Sequence, residues 1–465
     1  MFLLSGQKGR DAMQTDSRIG RGGSTGGYRH PLLQRINPYF ACLRGLADPT
    51  ARRSVRWTPL AAALAAVLMA FDPGCTLTVR CRDALACLGL DFTRRRRVGK
   101  TYNGLLKALV RQAPAILPLL KSSLRQRAQA MWEKIPRVAG WVLLAVDGSK
   151  EDLPRTRSLE EHFGIADNGR CPQALITAIV EVFTGLPWDW RIGRGRGGEK
   201  DQLIAMTADL PARSLLLADG NFVGYAVWSA LAKAGREFLI RVGGNVHLIR
   251  RLWPDARIDR RGDIVYAWPT HRQKHAAPLR LRLIEVRGGK DPLYLLTNVL
   301  DRRRLTDAAA GTIYRRRWGV ELFYRGLKRT PGYAKLRSRS GRRAAVELEW
   351  GMVSLWVLAV LGIEQLHRRR ISRRRLSPAG LLGAVRTALV RGVDPARAAR
   401  AGRDLDRALG RAVRDRYQRH AAKASRYRPV TRNTPHPLQL KPPRVRLATD
   451  TERRRAEQAH PSLAA

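Results

Sequence analysis

WVLLAVDGS, residues Trp141–Ser149, decides how this chain is read. Its first six residues are all apolar, and the run stops at an acid, Asp147, followed by Gly148. A stretch this short and this uniformly apolar suits a strand buried on both faces, the kind that fills the centre of an α/β sheet. Working outward toward the C-terminus, CPQALITAIVEVFTGLPWDWRIGRG (Cys171–Gly195) reads as a hairpin, with one strand to about Phe183, a turn at Thr184 to Pro187 and a strand to Ile192. GEKDQLIAMTADLP from Gly198 reads as an amphipathic helix, and SLLLADGNF (Ser214–Phe222) as a second apolar strand ending in an acid, Asp219. A helix over FVGYAVWSALAKAG and a strand in EFLIRVGGN complete the order β-β-β-α-β-α-β, a mixed sheet flanked by helices.

From Asn245 to about Leu300 the texture changes again. DIVYAWP, LRLRLIEVRG and PLYLLTNVL alternate apolar and polar residues between Gly and Pro, which predicts a β-rich insertion at about 245–300. Long helices are expected over about Arg303 to Thr330, Ala344 to Arg369 and Pro378 to Arg391. Upstream of Trp141, the region 31–135 is helical, with helices at Pro59 to Phe71 and about Leu77 to Leu88, and a third behind the basic run Arg94 to Arg97. Short helices with a basic cluster between them suit DNA binding; a plain helical cap with a solvated charge run is the alternative. Residues 1–30 read as a flexible basic leader. Residues 136–345 read as the α/β domain, 346–395 as C-terminal helices, and 396–465 as a basic, partly disordered tail.

The charge balance names the partner class. The 465 residues carry 87 Lys and Arg against 38 Asp and Glu, a formal net charge of +49. A GC-rich genome inflates arginine but does not explain so few acids. A field of this sign draws polyanions and releases their counterions, so nucleic acid is favoured over a membrane or an acidic protein. The five cysteines lack zinc-ligand spacing and read as reduced thiols of a cytoplasmic protein. LAAALAAVLMAF from Leu60 and MVSLWVLAVLGI from Met352 fall short of the ~20 residues that span a bilayer and read as buried helices, so no membrane is expected.

Few acids make the placement of each informative. Asp147 and Asp219 both end apolar strands and both precede a glycine, which lets a ligand approach the backbone; a turn or cap residue is the plainer reading of each. The third acid lies in YRRRWGVELFYRGLK (Tyr314–Lys328), among Arg315, Arg316, Arg317, Arg325 and Lys328. On a continuous helix at ~100° per residue, with Tyr314 at zero, Arg317 falls near ~300°, Glu321 near ~340° and Lys328 near ~320°. These four then share one polar stripe. Either Glu321 offers a metal-binding carboxylate beside cations and a phenol, or it sits in an i,i+4 pair with Arg317 or Arg325. Three carboxylates gathered from separate elements need a cation between them, and oxygen-only ligation selects Mg²⁺. Glu160, Glu161, Glu199 and Asp201 do not end apolar strands, and the last two read as acids favouring a helix start.

With Y314-x2-R317-x3-E321-x6-K328 behind LLAVDGS and LLLADGNFVGY, the chain resembles the insertion-sequence DDE transposases of the insertion sequence four family, over about Trp141 to Ser340. The resemblance implies a ribonuclease-H-like core with a β-rich insertion between the second Asp and the Glu. It implies Asp147, Asp219 and Glu321 as catalytic residues and metal ligands for two Mg²⁺ ions, with Mn²⁺ as a substitute. Tyr314, Arg317 and Lys328 would be DNA-binding residues near the cleavage point. It further implies cut-and-paste transposition by an endonuclease acting on double-stranded DNA, transposon ends and target alike. The ends would carry terminal inverted repeats, paired by a homodimer in a nucleoid-associated complex. Trp253, Trp268 and Trp318 are candidates for stacking on a flipped base, and each is also a candidate core residue. The competing readings are a non-catalytic DNA-binding remnant and a ribonuclease-H-like nuclease that cuts without joining.

Overall fold

The computed structural model describes residues 30–413 and 441–459, apart from 47–56, 75, 90–98, 100, 133–136, 166–168, 254–261, 270–275, 288–290, 330–337, 373–374, 393 and 395–397. The basic run Arg94 to Arg97, and all of the leader but its last residue, lie outside the described residues.

The N-terminal helices are α1 (Pro31–Ile36), α2 (Pro59–Phe71), α3 (Leu77–Gly89) and α4 (Tyr102–Trp132). Thr58 starts α2: its hydroxyl accepts the Ala61 N–H, and Pro59 fills the first helical position, where no N–H is needed. Every α2 residue except Leu60 is buried.

Then come β1 (Val142–Asp152), α5 (Arg157–Phe163), the hairpin β2 (Gln173–Glu181) and β3 (Pro187–Arg194), α6 (Glu199–Ile204), β4 (Ser214–Ala218), α7 (Tyr225–Lys233) and β5 (Glu237–Arg241). β1, β4 and β5 run parallel, while on the far side of β1 the strand β2 runs antiparallel to it and β3 antiparallel to β2. The order β3-β2-β1-β4-β5 is the ribonuclease-H-like arrangement that the resemblance implies. One expectation changes here. Asp147 does not end β1, which runs on to Asp152 because β2 keeps pairing with it as far as Asp152↔Gln173. What ends near Asp147 is the parallel pairing to β4, at Ala145↔Leu217, and burial on both faces: Val142 to Val146 are buried and Asp147 is half-buried.

The β-rich insertion is present as β6 (His247–Arg250), β7 (Ile264–Ala267), β8 (Leu279–Val286) and β9 (Leu293–Thr297). It extends the same sheet, since β9 pairs antiparallel with β5. Arg282 of β8 is fully buried and balanced by Asp263 at 3.8 Å and Asp307 at 3.6 Å.

The single helix expected over about Arg303 to Thr330 is instead α8 (Asp307–Tyr314), a 3₁₀ turn at Arg315–Arg317 and α9 (Trp318–Arg329). Helix α10 (Gly341–Arg368) is the central pillar, packed against α2, α4, α5 and β3 and against α11 (Pro378–Arg391) and α12 (Ala398–Arg411). Among the described residues it is the one helix long and apolar enough to cross a membrane, but 89% of that apolar window is buried inside the protein.

Of the tail, residues 414–440 and 460–465 lie outside the described residues, and a part between them takes regular structure. β10 (Arg444–Leu447) adds to the outer edge of the insertion, parallel to β6, and α13 (Asp450–Ala459) follows it. Ala448 and Ala456 join Ile249, Leu252, Trp253, Ile264 and Tyr266 in a second, smaller core. The Pro- and Arg-rich composition hid a short alternating segment, Arg444-Val445-Arg446-Leu447, that finds an open strand edge. With β10 in place, the sheet has ten strands among the described residues.

Candidate active site

The parallel register builds the centre of the site. Ala145 of β1 faces Leu217 of β4, so Asp147 and Asp219 each stand two residues past the same rung. Asp219 leaves the strand and caps a 3₁₀ turn, its Oδ1 accepting the Asn221 N–H at 2.9 Å. Asp147 Oδ1 accepts the N–H of Gly148, also at 2.9 Å. Burial pushes the Asp147 carboxyl up to about 6, the negative charge of Asp219 adds to the rise, and the Gly148 N–H and Arg317 oppose it.

Helix α9 packs on β1 and β2 and carries Glu321 in its first turn. Its seat is tight because Gly319 has no side chain: a Cβ there would lie 2.3 Å from the Val182 carbonyl oxygen. Gly319→Ala is therefore expected to cost about 1–3 kcal/mol by forcing α9 off the sheet, read as a lower urea midpoint with an unchanged slope.

Arg317 stands among all these acids. Its Nη2 holds Glu321 Oε1 at 2.9 Å. Burial works against its charge, yet Tyr314, Asp219, Asp147 and Glu321 together raise its pKa above the usual arginine value. Tyr314, buried at the end of α8, has its phenol pushed up to about 12 by burial, with Arg317 opposing and Asp219 reinforcing. The stripe predicted for Tyr314, Arg317 and Glu321 thus survives as a cluster but not as one helical face, because the 3₁₀ turn at Arg315–Arg317 breaks the continuous wheel. Lys328 lies in α9, and its side chain is outside the described residues.

The donor chemistry suits a hard divalent cation at the aspartate pair: two carboxylates brought together by adjacent strands, one of them with its charge disfavoured by burial and by the other's negative charge. The expected cage of three is not assembled. Among the described residues no group of three acid, histidine or cysteine side chains is close enough to hold a metal. Glu321 is instead paired with Arg317, whose guanidinium also lies in the field of Asp147 and Asp219.

Two charged groups escaped the sequence reading. Glu199, set aside as a helix-start acid, lies directly over Gly148, where a Cβ would come within 2.3 Å of its Oε1. Burial and the Asp219 charge raise its carboxyl above the usual range, with Lys150 opposing. The glycine after Asp147 was the available signal, since a close approach there must come from something. Arg241, the last residue of β5, is a second cation in the field of Tyr314. Of the three tryptophans, Trp253 packs edge-on to Tyr266 in the smaller core, and Trp268 lies at that core's margin. Trp318, beside Arg317, is 52% exposed, the one of the three that faces solvent.

The raised Asp147 pKa has a testable sign. In the unfolded chain the group sits near 3.8 and in the folded chain near 6, so the folded state holds the proton more tightly. Its contribution to stability then falls as pH rises from about 4 to about 6. Asp147→Asn should melt about 2–4 °C above the wild type at pH 7.5 without divalent metal, the difference shrinking toward pH 4. Calorimetry across that range reads it.

Residues 142–357 match the family described as transposase DDE domain. The chain is 26% identical over 296 residues to the transposase InsG for insertion sequence element IS4 of Escherichia coli (strain K12), covering 57% of this chain. The match spans 65% of that relative's length. A looser likeness runs to a cryo-EM structure of a piggyBac transposase synaptic complex with hairpin DNA. Its TM-score is 0.41 at 12% identity, over 79% of this chain and 81% of that one.

Proposed function

We propose, from the match of residues 142–357 to the transposase DDE domain and the likeness to an insertion-sequence transposase, that this chain cuts DNA at the inverted-repeat ends of an insertion sequence and joins them to a target. One observation carries the reading: the register that sets Asp147 beside Asp219, with Arg317 in the field of both and bonded to Glu321. Asp147, Asp219 and Glu321 would hold two Mg²⁺ ions, with Mn²⁺ as a substitute. When bound, such ions activate a water or a 3′-OH and stabilise the leaving oxygen at a phosphodiester.

The chain's own groups supply positioning. Arg317 can fork onto a phosphate as well as it now holds a carboxylate. A backbone phosphate next to the scissile one competes with Glu321 for that guanidinium and frees Glu321 to turn toward the aspartates. Tyr314 gives the same phosphate region a phenol that stays protonated at neutral pH. Lys328 is assigned a further phosphate contact, and Trp318 a base-stacking role. The N-terminal helices are assigned to end recognition, and the excess of Lys and Arg to sequence-independent phosphate contacts. A homodimer pairing two ends completes the scheme.

A second reading has one observation in its favour. The Arg317–Glu321 pair is also what a DNA-binding relative without catalysis would keep. Incubation of the full chain with Mg²⁺ and DNA fragments bearing the repeats that flank its gene separates the two. Strand-specific nicking at the repeat boundary, followed by joining to a plasmid target, is expected. Tight binding of those fragments without any nicking in Mg²⁺ or Mn²⁺ would establish the non-catalytic reading.

A further inference from the structure

Tyr324 sits one helical turn after Glu321 on α9, is 6% exposed, and reaches the β1–β2 ladder at one particular rung. Asp147 and Ala178 face each other there. The Ala178 N–H donates to the Tyr324 hydroxyl at 3.0 Å. The hydroxyl has the Asp147 carbonyl oxygen and the Ile176 carbonyl oxygen each at 2.8 Å as acceptors for its one proton. A phenol from the glutamate helix is thus keyed into the backbone of the residue that bears the first aspartate. Ring packing beside Phe323 would hold the helix against the sheet but would let it slide. Directional bonds to a donor and two acceptors fix its translation and rotation. Residues three apart share a helix face, so what fixes Tyr324 also fixes the base of Glu321.

We infer that Tyr324 is a positioning residue for DNA cleavage, its hydroxyl setting the distance from the Asp147 backbone to the helix that delivers Glu321. The inference rests on the proposed function and goes beyond it, because neither the four-residue signature nor the three acids include this tyrosine.

The test compares the wild type with Tyr324→Phe in full-length protein, by single-turnover cleavage at saturating end DNA and by the Kd for the same DNA. Misplacing a reacting group by about 1 Å costs on the order of 10²-fold in rate. The expected result is a fall of about that size in the single-turnover rate, with Kd changed less than about twofold and faster hydrogen exchange at the Ala178 amide. A merely structural tyrosine would lower the melting temperature and leave the rate of the folded protein unchanged, and that outcome overturns the inference. If Tyr324→Phe does not fold, 4-aminophenylalanine at position 324 decides. It restores a donor and a lone pair, so cleavage within tenfold of the wild type supports the keying role, and an undetectable rate in folded protein overturns it. A wild type that never cleaves ends the proposed function and this inference together. A wild type that cleaves no faster than Tyr324→Phe ends this inference alone.

Discussion

Asp219→Ala lowers cleavage of end DNA by about 10³-fold or more in the proposed mechanism, and leaves binding of that DNA within about twofold. The size follows from what the side chain does. Asp219 stands beside Asp147 across the β1–β4 register, and of the neighbouring acids its charge acts most strongly on Asp147. Losing it removes several kcal/mol of charge stabilisation that the transition state needs, and each 1.36 kcal/mol is a tenfold change in rate. Binding is spared because a carboxylate contributes nothing attractive to a phosphate backbone; its removal strengthens a cationic surface if it does anything. The cap on the Asn221 N–H is lost as well, at a cost of about 1 kcal/mol, so the variant should melt slightly lower yet remain folded. Gel-shift and cleavage assays on one preparation read both halves. Cleavage by Asp219→Ala at the wild-type rate would remove Asp219 from the chemistry.

The second large effect is on affinity. A net charge of +49 means that end binding is dominated by phosphate contacts and counterion release. With 6–10 such contacts, affinity should fall by about 10³ to 10⁵ between 50 and 200 mM salt. Fluorescence anisotropy over a salt series gives the slope directly. A slope near zero would mean that the arginines are spent inside the protein. Some are: Arg125 holds the fully buried Asp189 at 2.8 Å, and Arg282 is itself fully buried. Most of the excess cations have no such use for their charge, because the 38 acids are too few to pair with 87 bases.

The core strands were legible because a buried strand in a parallel sheet has little freedom: Val142 to Val146 and Leu215 to Ala218 are apolar throughout, and the acids that follow mark where full burial stops. The continuation of β1 beyond Asp147 was not legible, since it depends on β2, whose pairing partner local sequence does not name. The break at Arg315–Arg317 was hidden for a similar reason. Arginine is a good helix former, and nothing local forces a 3₁₀ turn; Gly319 closing on Val182 and Tyr324 reaching the ladder set the angle of α9 from outside. Glu199 was discounted by a rule about helix starts that was correct and incomplete, because the same residue also covers Gly148. The β insertion was visible by its alternation, while its fusion to β5 was a matter of which edge lay open.

The strand and helix at 444–459 change what a lesion at the far end of the gene would mean. A stop codon ahead of Arg444 takes nothing from the aspartate pair, yet it bares the edge of β6 and wets the cluster around Trp253 and Tyr266. An uncovered strand edge beside exposed aromatics invites self-association. Such a truncation would be lost as insoluble protein rather than persist as a DNA-binding competitor of the intact chain.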